Sequence, residues 1–148
     1  MSTYRFRLGT LLKLRRAEEE RCRANLAAAN RSLRDAILFR DSETMRLASL
    51  QPVNGLTFMP DLEREEMQTA FVAVSVMQAQ SAVNDALVAA AQAQVAWSKA
   101  SRAVEALLRL DATRRAEHFA EELRIEAVDA DDISTATFQR RELAAGQG

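Results

Sequence analysis

Between Thr69 and Leu108 small and apolar residues return every seven positions, and no Gly or Pro interrupts the run. With Thr69 at heptad position a, the a series reads Thr69, Val76, Val83, Ala90, Trp97, Val104. The d series reads Val72, Ala79, Ala86, Ala93, Ala100, Leu107. Such a repeat leaves few options, because a 3.5-residue period keeps one stripe of a helix facing one partner helix along its whole length. Ala dominates the d positions, so each layer buries little area but lets a second helix come close. The pattern predicts a thin, extended two-helix contact.

The partner helix lies in the same chain. Residues 8–50 carry an a series of Leu12, Glu19, Leu26, Leu33, Arg40, Leu47 and a d series of Leu8, Arg15, Cys22, Ala29, Ala36, Glu43, Leu50. Arg15, Glu19, Arg40 and Glu43 weaken a simple apolar seam and point to register specification or contact with a partner. Pro52 disfavours a helical Gln51, Asn54-Gly55 suits a turn, and Thr57 or Asp61 can cap a second helix whose first turn tolerates Pro60. A connection this short makes the helices antiparallel, with facing residue numbers summing to about 111.

The expected fold is therefore all-α: one long antiparallel two-helix coiled-coil hairpin with an overhanging second helix, as a single domain over residues 1–148. Its parts are a helix over about 8–50, a turn at 51–60, a second helix from about 61 to 130 or to 141, and a tail at 142–148. Acidic residues at Asp129–Asp132 oppose the dipole of a helix ending there, and Ala144–Gly148 is expected to be disordered. At 1.5 Å per residue the paired part is about 60 Å long and the second helix about 100 Å or more.

Composition narrows the function. With 28% charged and 5% aromatic residues, four Gly and two Pro, the chain lacks the turns of a compact α/β enzyme. One Cys excludes an internal disulfide, and one His argues against a His-based metal site or triad. Cys22 reads as a small buried hydrophobe and His118 as a solvated side chain. Catalysis needs a concave pocket that excludes water, which a helix pair lacks, and Glu121 and Glu122 point apart on a helix. The expectation is a protein that is not an enzyme and uses no cofactor.

Charge is unevenly spread. Residues 1–34 hold nine Arg or Lys against three Glu, and residues 117–132 hold seven Asp or Glu against one Arg. That split favours directional contacts with protein partners over nucleic acid, which needs a basic surface without an acidic block. Arg5, Arg7 and Lys13 interrupt any secretion-type apolar run, so the expected location is the cytoplasm. Met67–Asn84 has no charge, yet Gln68, Thr69, Ser75, Gln78, Gln80, Ser81 and Asn84 make it too polar for a membrane span.

Two surfaces stand out. Where the seam runs out, Phe6, Arg7, Leu8, Leu11, Arg15 and Arg16 come near Leu108, Arg114, Arg115, Glu117 and Phe119, concentrating Arg with unpaired apolar residues. Nearer the turn, Met67, Phe71 and Val74 fall within about 60° of one another on a helical wheel, opposite the seam. Met77 lies at the edge of that arc, and Phe39, Met45, Phe58 and Met59 add large apolar groups. A patch of this kind is expected to be a partner surface, and from the sequence alone the partner could equally be a chaperone or a second copy of this chain.

The opening Phe6-Arg7-Leu8, followed by Leu11-Leu12-Lys13-Leu14-Arg15-Arg16-Ala17-Glu18-Glu19-Glu20, resembles that of the FliJ family, the small soluble component of the bacterial flagellar type III export apparatus. The run from Leu108 to Ile133, with Arg114-Arg115 and its many glutamates, is similar to the family's closing pattern, apart from Ala127 and Val128 where charge is usual. The resemblance implies an antiparallel coiled coil like the rotor shaft of the F1 ATPase, set in the central hole of a hexameric export ATPase. It implies that the Phe6–Phe119 group binds the ATPase, and that Phe39, Met45, Met67, Phe71, Val74 and Met77 meet the membrane-embedded export gate's cytoplasmic domain. Export chaperones are further implied partners, and the protein would be peripheral to the inner membrane through these partners. A structural or scaffolding coiled coil unrelated to export is the alternative.

Overall fold

A computed structural model of the chain describes residues 3–50 and 59–147. The expected turn residues Gln51, Pro52, Asn54, Gly55 and Thr57, together with Phe58, lie outside the described residues. Two helices account for nearly all the rest: α1, Gly9–Ser49, and α2, Met59–Ala145. They pack against each other antiparallel, as the two heptad series predict, and no strand occurs among the described residues.

Local chemistry sets the helix ends. The amide of Leu12 donates to the carbonyl of Leu8 at 2.9 Å, which starts α1. Gly9 has no positive φ to require glycine, and an added Cβ would meet nothing within 4 Å. Arg46 stands in the last turn of α1, where a cation suits the helix dipole. At the start of α2, Pro60 needs no amide partner and Asp61 places an anion in the first turn.

The far end of α2 departs from expectation. The helix runs to Ala145, past both 130 and 141, and takes in Ala144, which was expected to be disordered. Dipole penalties fade within the last turn. With the helix ending at Ala145, Asp129–Asp132 are interior positions, and the following Gln139–Ala145 run of good helix formers carries the helix on.

By contact the chain divides into two compact units, Met1–Arg15 with Ala103–Gly148, and Arg16–Arg102. Within Arg16–Arg102 the α2 seam is buried at Val72, Ala79, Val83, Ala90 and Ala100, Val72 completely so. The remaining seam positions, Thr69, Val76, Ala86, Ala93 and Trp97, are half-buried. On α1 the seam residues Leu26, Leu33 and Leu47 stay half-buried, and so does Cys22, which was expected to be buried outright. In the other unit Val104 is buried and Leu107 and Leu12 half-buried, whereas Leu8 and Arg15 are exposed despite their seam positions.

Charged seam residues set the register. The Ser75 hydroxyl donates to Glu43 Oε2 at 2.7 Å, and Arg40 donates to Gln80 Oε1 at 3.2 Å. Residues facing each other thus have numbers summing to 118 and 120, and the expected sum of about 111 is corrected by roughly two helical turns. Leu50 then stands across from the neighbourhood of Gln68, and Met59–Gln68 are all exposed. Glu43 is the buried charged residue among those described, at 9% exposure, and Arg46 lies 3.7 Å from its carboxylate.

Trp97 is the bulkiest seam residue, and its Nε1 is buried without a hydrogen-bond partner. An orphaned donor costs about 1 to 3 kcal/mol, so the indole gains less than its area suggests. Trp97→Ala is expected to destabilise by about 2 to 3 kcal/mol, below the full range for a completely buried aromatic, and Trp97→Phe by less than about 1 kcal/mol, read from urea melts followed by circular dichroism. A double-mutant cycle on Glu43→Ala and Ser75→Ala should return a coupling of about 1 kcal/mol.

Candidate partner interface

In the unit formed by Met1–Arg15 and Ala103–Gly148, the residues ahead of α1 do not trail away. Thr3–Phe6 is non-helical and lies along α2, held by Tyr4. The phenol donates to Asp111 Oδ1 at 2.8 Å, with the Asp111 backbone carbonyl a second acceptor at 3.3 Å. The Tyr4 ring meets His118 edge-on, centroids 5.6 Å apart, and the Arg115 guanidinium stands 5.5 Å from its centroid. Arg115 in turn reaches Asp111 Oδ2 at 3.2 Å, and His118 Nδ1 lies 3.8 Å from Glu122. One tyrosine therefore touches three residues of α2, Asp111, Arg115 and His118, across a separation of more than a hundred residues.

This strap forms one wall of a groove of about 780 Å³. Arg5, Arg7 and Arg114 line it with Phe6, Leu8 and Leu110, while Glu117 supplies an acid that pairs with Arg114 at 3.3 Å. Cations over an apolar floor suit an acidic protein surface that also carries an apolar residue. A shallower depression of about 460 Å³ on α2 gathers Leu108, Ala112, Arg115 and Phe119.

The eleven residues expected at this end are thus distributed. Phe6, Arg7, Leu8, Arg114 and Glu117 line the groove; Leu108, Arg115 and Phe119 line the depression; Leu11 and Arg15 line neither. Arg16 belongs to the other compact unit. Sequence reasoning left out Tyr4, Asp111 and His118. His118, expected to be solvated, keeps only 31% of its side chain exposed because Tyr4 covers it. A signal for these was present: the a series continued past Val104 reads Asp111 and His118.

Beyond Phe119, α2 has little packed against it, and most of its residues are exposed. Ion pairs one turn apart support it, as between Arg124 and Glu121 at 2.7 Å, each such pair contributing about 0.2 to 0.5 kcal/mol in an isolated helix. That bond to Arg124 holds the Glu121 carboxyl below the usual glutamate range. Glu121 and Glu122 thus serve different partners, Arg124 and His118.

Within Arg16–Arg102, the second expected surface is exposed throughout. Met67 is 74% exposed and Phe71 69%, with Val74, Met77, Phe39 and Met45 at least half exposed. Met59 is exposed as well, and Phe58 lies outside the described residues. Among the described residues no group of three or more His, Cys, Asp or Glu could hold a metal ion, and no helix is long and apolar enough to cross a membrane.

Neither a family model, nor a curated protein, nor a solved structure matches the chain.

Burial, then the hydrogen bond to Asp111 and its charge, push the Tyr4 phenol above its ordinary value. The folded chain holds that proton more tightly than the unfolded one, so the associated stability is complete below about pH 10 and is lost as pH rises through the raised value. Because Tyr4 is the only tyrosine, the tyrosinate absorbance reports it alone. Its midpoint should lie above that of the urea-unfolded chain, and Asp111→Asn should move it partway back. Equal midpoints for folded and unfolded wild type would show that the strap is not seated.

Proposed function

We propose that this chain is a non-catalytic component of the bacterial flagellar protein export apparatus, acting in the cytoplasm and held at the inner membrane through its partners. In this reading the strap and the neighbouring part of α2 bind the export ATPase hexamer. The uncharged face around Phe71 and Val74 meets the export gate's cytoplasmic domain, and export chaperones are further partners. The observation that carries the proposal is the Tyr4-pinned strap, which gathers Arg5, Arg7 and Arg114 around apolar side chains beside α2. The opening and closing sequence patterns, which resemble the FliJ family, give that basic and apolar groove its proposed partner. Its chemistry is that of recognition, since an open groove on a helix pair orients a protein surface and offers no enclosed site for a small substrate.

Arg7→Glu combined with Arg114→Glu reverses two charges in the groove and leaves Asp111, Arg115 and His118, which hold Tyr4, in place. Binding to purified export ATPase should weaken at least ten-fold at moderate salt, which corresponds to about 1.4 kcal/mol, while circular dichroism stays as in wild type. Unchanged binding would remove the groove from the contact. No binding by the wild-type chain would leave a scaffolding coiled coil unrelated to export.

A further inference from the structure

The outward face of α2 within Arg16–Arg102 has an internal symmetry. Its f positions read Met67, Val74, Ser81, Val88, Val95, a pattern that is apolar on both sides of one small residue. Phe71 and Met77 widen the strip, and these six large side chains are each half to three-quarters exposed. Of all the b, c and f positions from Met67 to Ser98, only Asp85 is charged.

We propose that this face pairs with the same face of a second copy of the chain, antiparallel and centred on Ser81, in an isologous dimer. Laid that way, Val74 meets Val88 of the second copy, Met67 meets Val95 and Phe71 meets the small Ala91, while Met77 falls against Asp85. Ser81 facing Ser81 lets the two helices approach closely at the centre. A strongly charged partner would find only Asp85 here to steer it, whereas a strip with a single charge, symmetric at its f positions, is largely complementary to itself. The area is of the right order: six large side chains exposed to this degree present at most roughly 700 Å², against the ~800 Å² per partner of a standard stable interface. Pairing would cover Met67, Phe71, Val74 and Met77, so a dimer and a chain bound to the export gate through this face exclude each other. The dimer itself stands without that functional reading.

Sedimentation equilibrium of the full chain over a concentration series is the test. A reversible dimer is expected, and Val74→Asp with Val88→Asp should raise its Kd at least ten-fold with far-UV circular dichroism unchanged. Crosslinking decides the geometry and does not depend on that variant folding. In a Cys22→Ala background, Ser81→Cys should form a disulfide-linked dimer on mild oxidation, whereas Val95→Cys, displaced from its own copy in the antiparallel arrangement, should not. A chain that stays monomeric at every concentration overturns the proposal, including one that is monomeric and captures only another protein through this face. So does a dimer that the aspartates leave intact, or one in which Val95→Cys crosslinks as readily as Ser81→Cys.

Discussion

Close approach of α1 to an alanine-lined face of α2 is the condition on which the other features rest. Ala79, Ala90 and Ala100 are buried, whereas Leu26, Leu33 and Leu47 of the facing helix stay half-buried. A seam this thin supplies modest hydrophobic stabilisation per layer, at about 0.8 kcal/mol per buried methylene. Apolar packing between small side chains also tolerates sliding by a turn. Polar bridges at Glu43 to Ser75 and Arg40 to Gln80 therefore carry more of the register than they would in a leucine-rich seam. Charged groups at core positions are costly for stability but effective at excluding alternative alignments.

The same heptad positions change chemistry along α2. Past Val104 the a series offers a carboxylate and an imidazole, and a tyrosine from ahead of α1 covers both. An apolar residue in place of Tyr4 could bury Asp111 only at a desolvation penalty, whereas a phenol brings a donor for the carboxylate and a ring edge for the imidazole together. The strap is thereby held along α2 at Tyr4, which lowers the ordering entropy that a partner would otherwise have to overcome.

The helices and their antiparallel pairing were legible in the sequence because a seven-residue repeat is a direct record of which face is covered. All twelve α2 positions assigned to the seam between Thr69 and Leu107 are buried or half-buried. The stagger was not legible, since periodicity fixes a face and leaves the alignment along the axis open by whole turns; only Glu43 and Arg40 finding Ser75 and Gln80 decides it. The end of α2 was misjudged for a related reason. Asp129–Asp132 looks like a terminus only if the helix stops there, and local propensity cannot say where a helix without a partner stops. Of the candidate surfaces, exposure of Met67, Phe71 and Val74 followed from their place opposite the seam. Tyr4, Asp111 and His118 escaped because their association joins segments more than a hundred residues apart; the continued a series marks Asp111 and His118 as facing inward but does not say that Tyr4 covers them.

The aromatic residues have a useful distribution. The single tyrosine lies in the unit made by Met1–Arg15 and Ala103–Gly148, and the single tryptophan lies in Arg16–Arg102. Each unit thus contains one chromophore that the other lacks. Tyr4 absorbance follows the seating of the strap, and Trp97 emission follows the opening of the alanine seam. Comparing the two signals during denaturation separates a chain that unfolds as one cooperative body from one that releases its N-terminal strap first. The sequence provides that distinction without any introduced label.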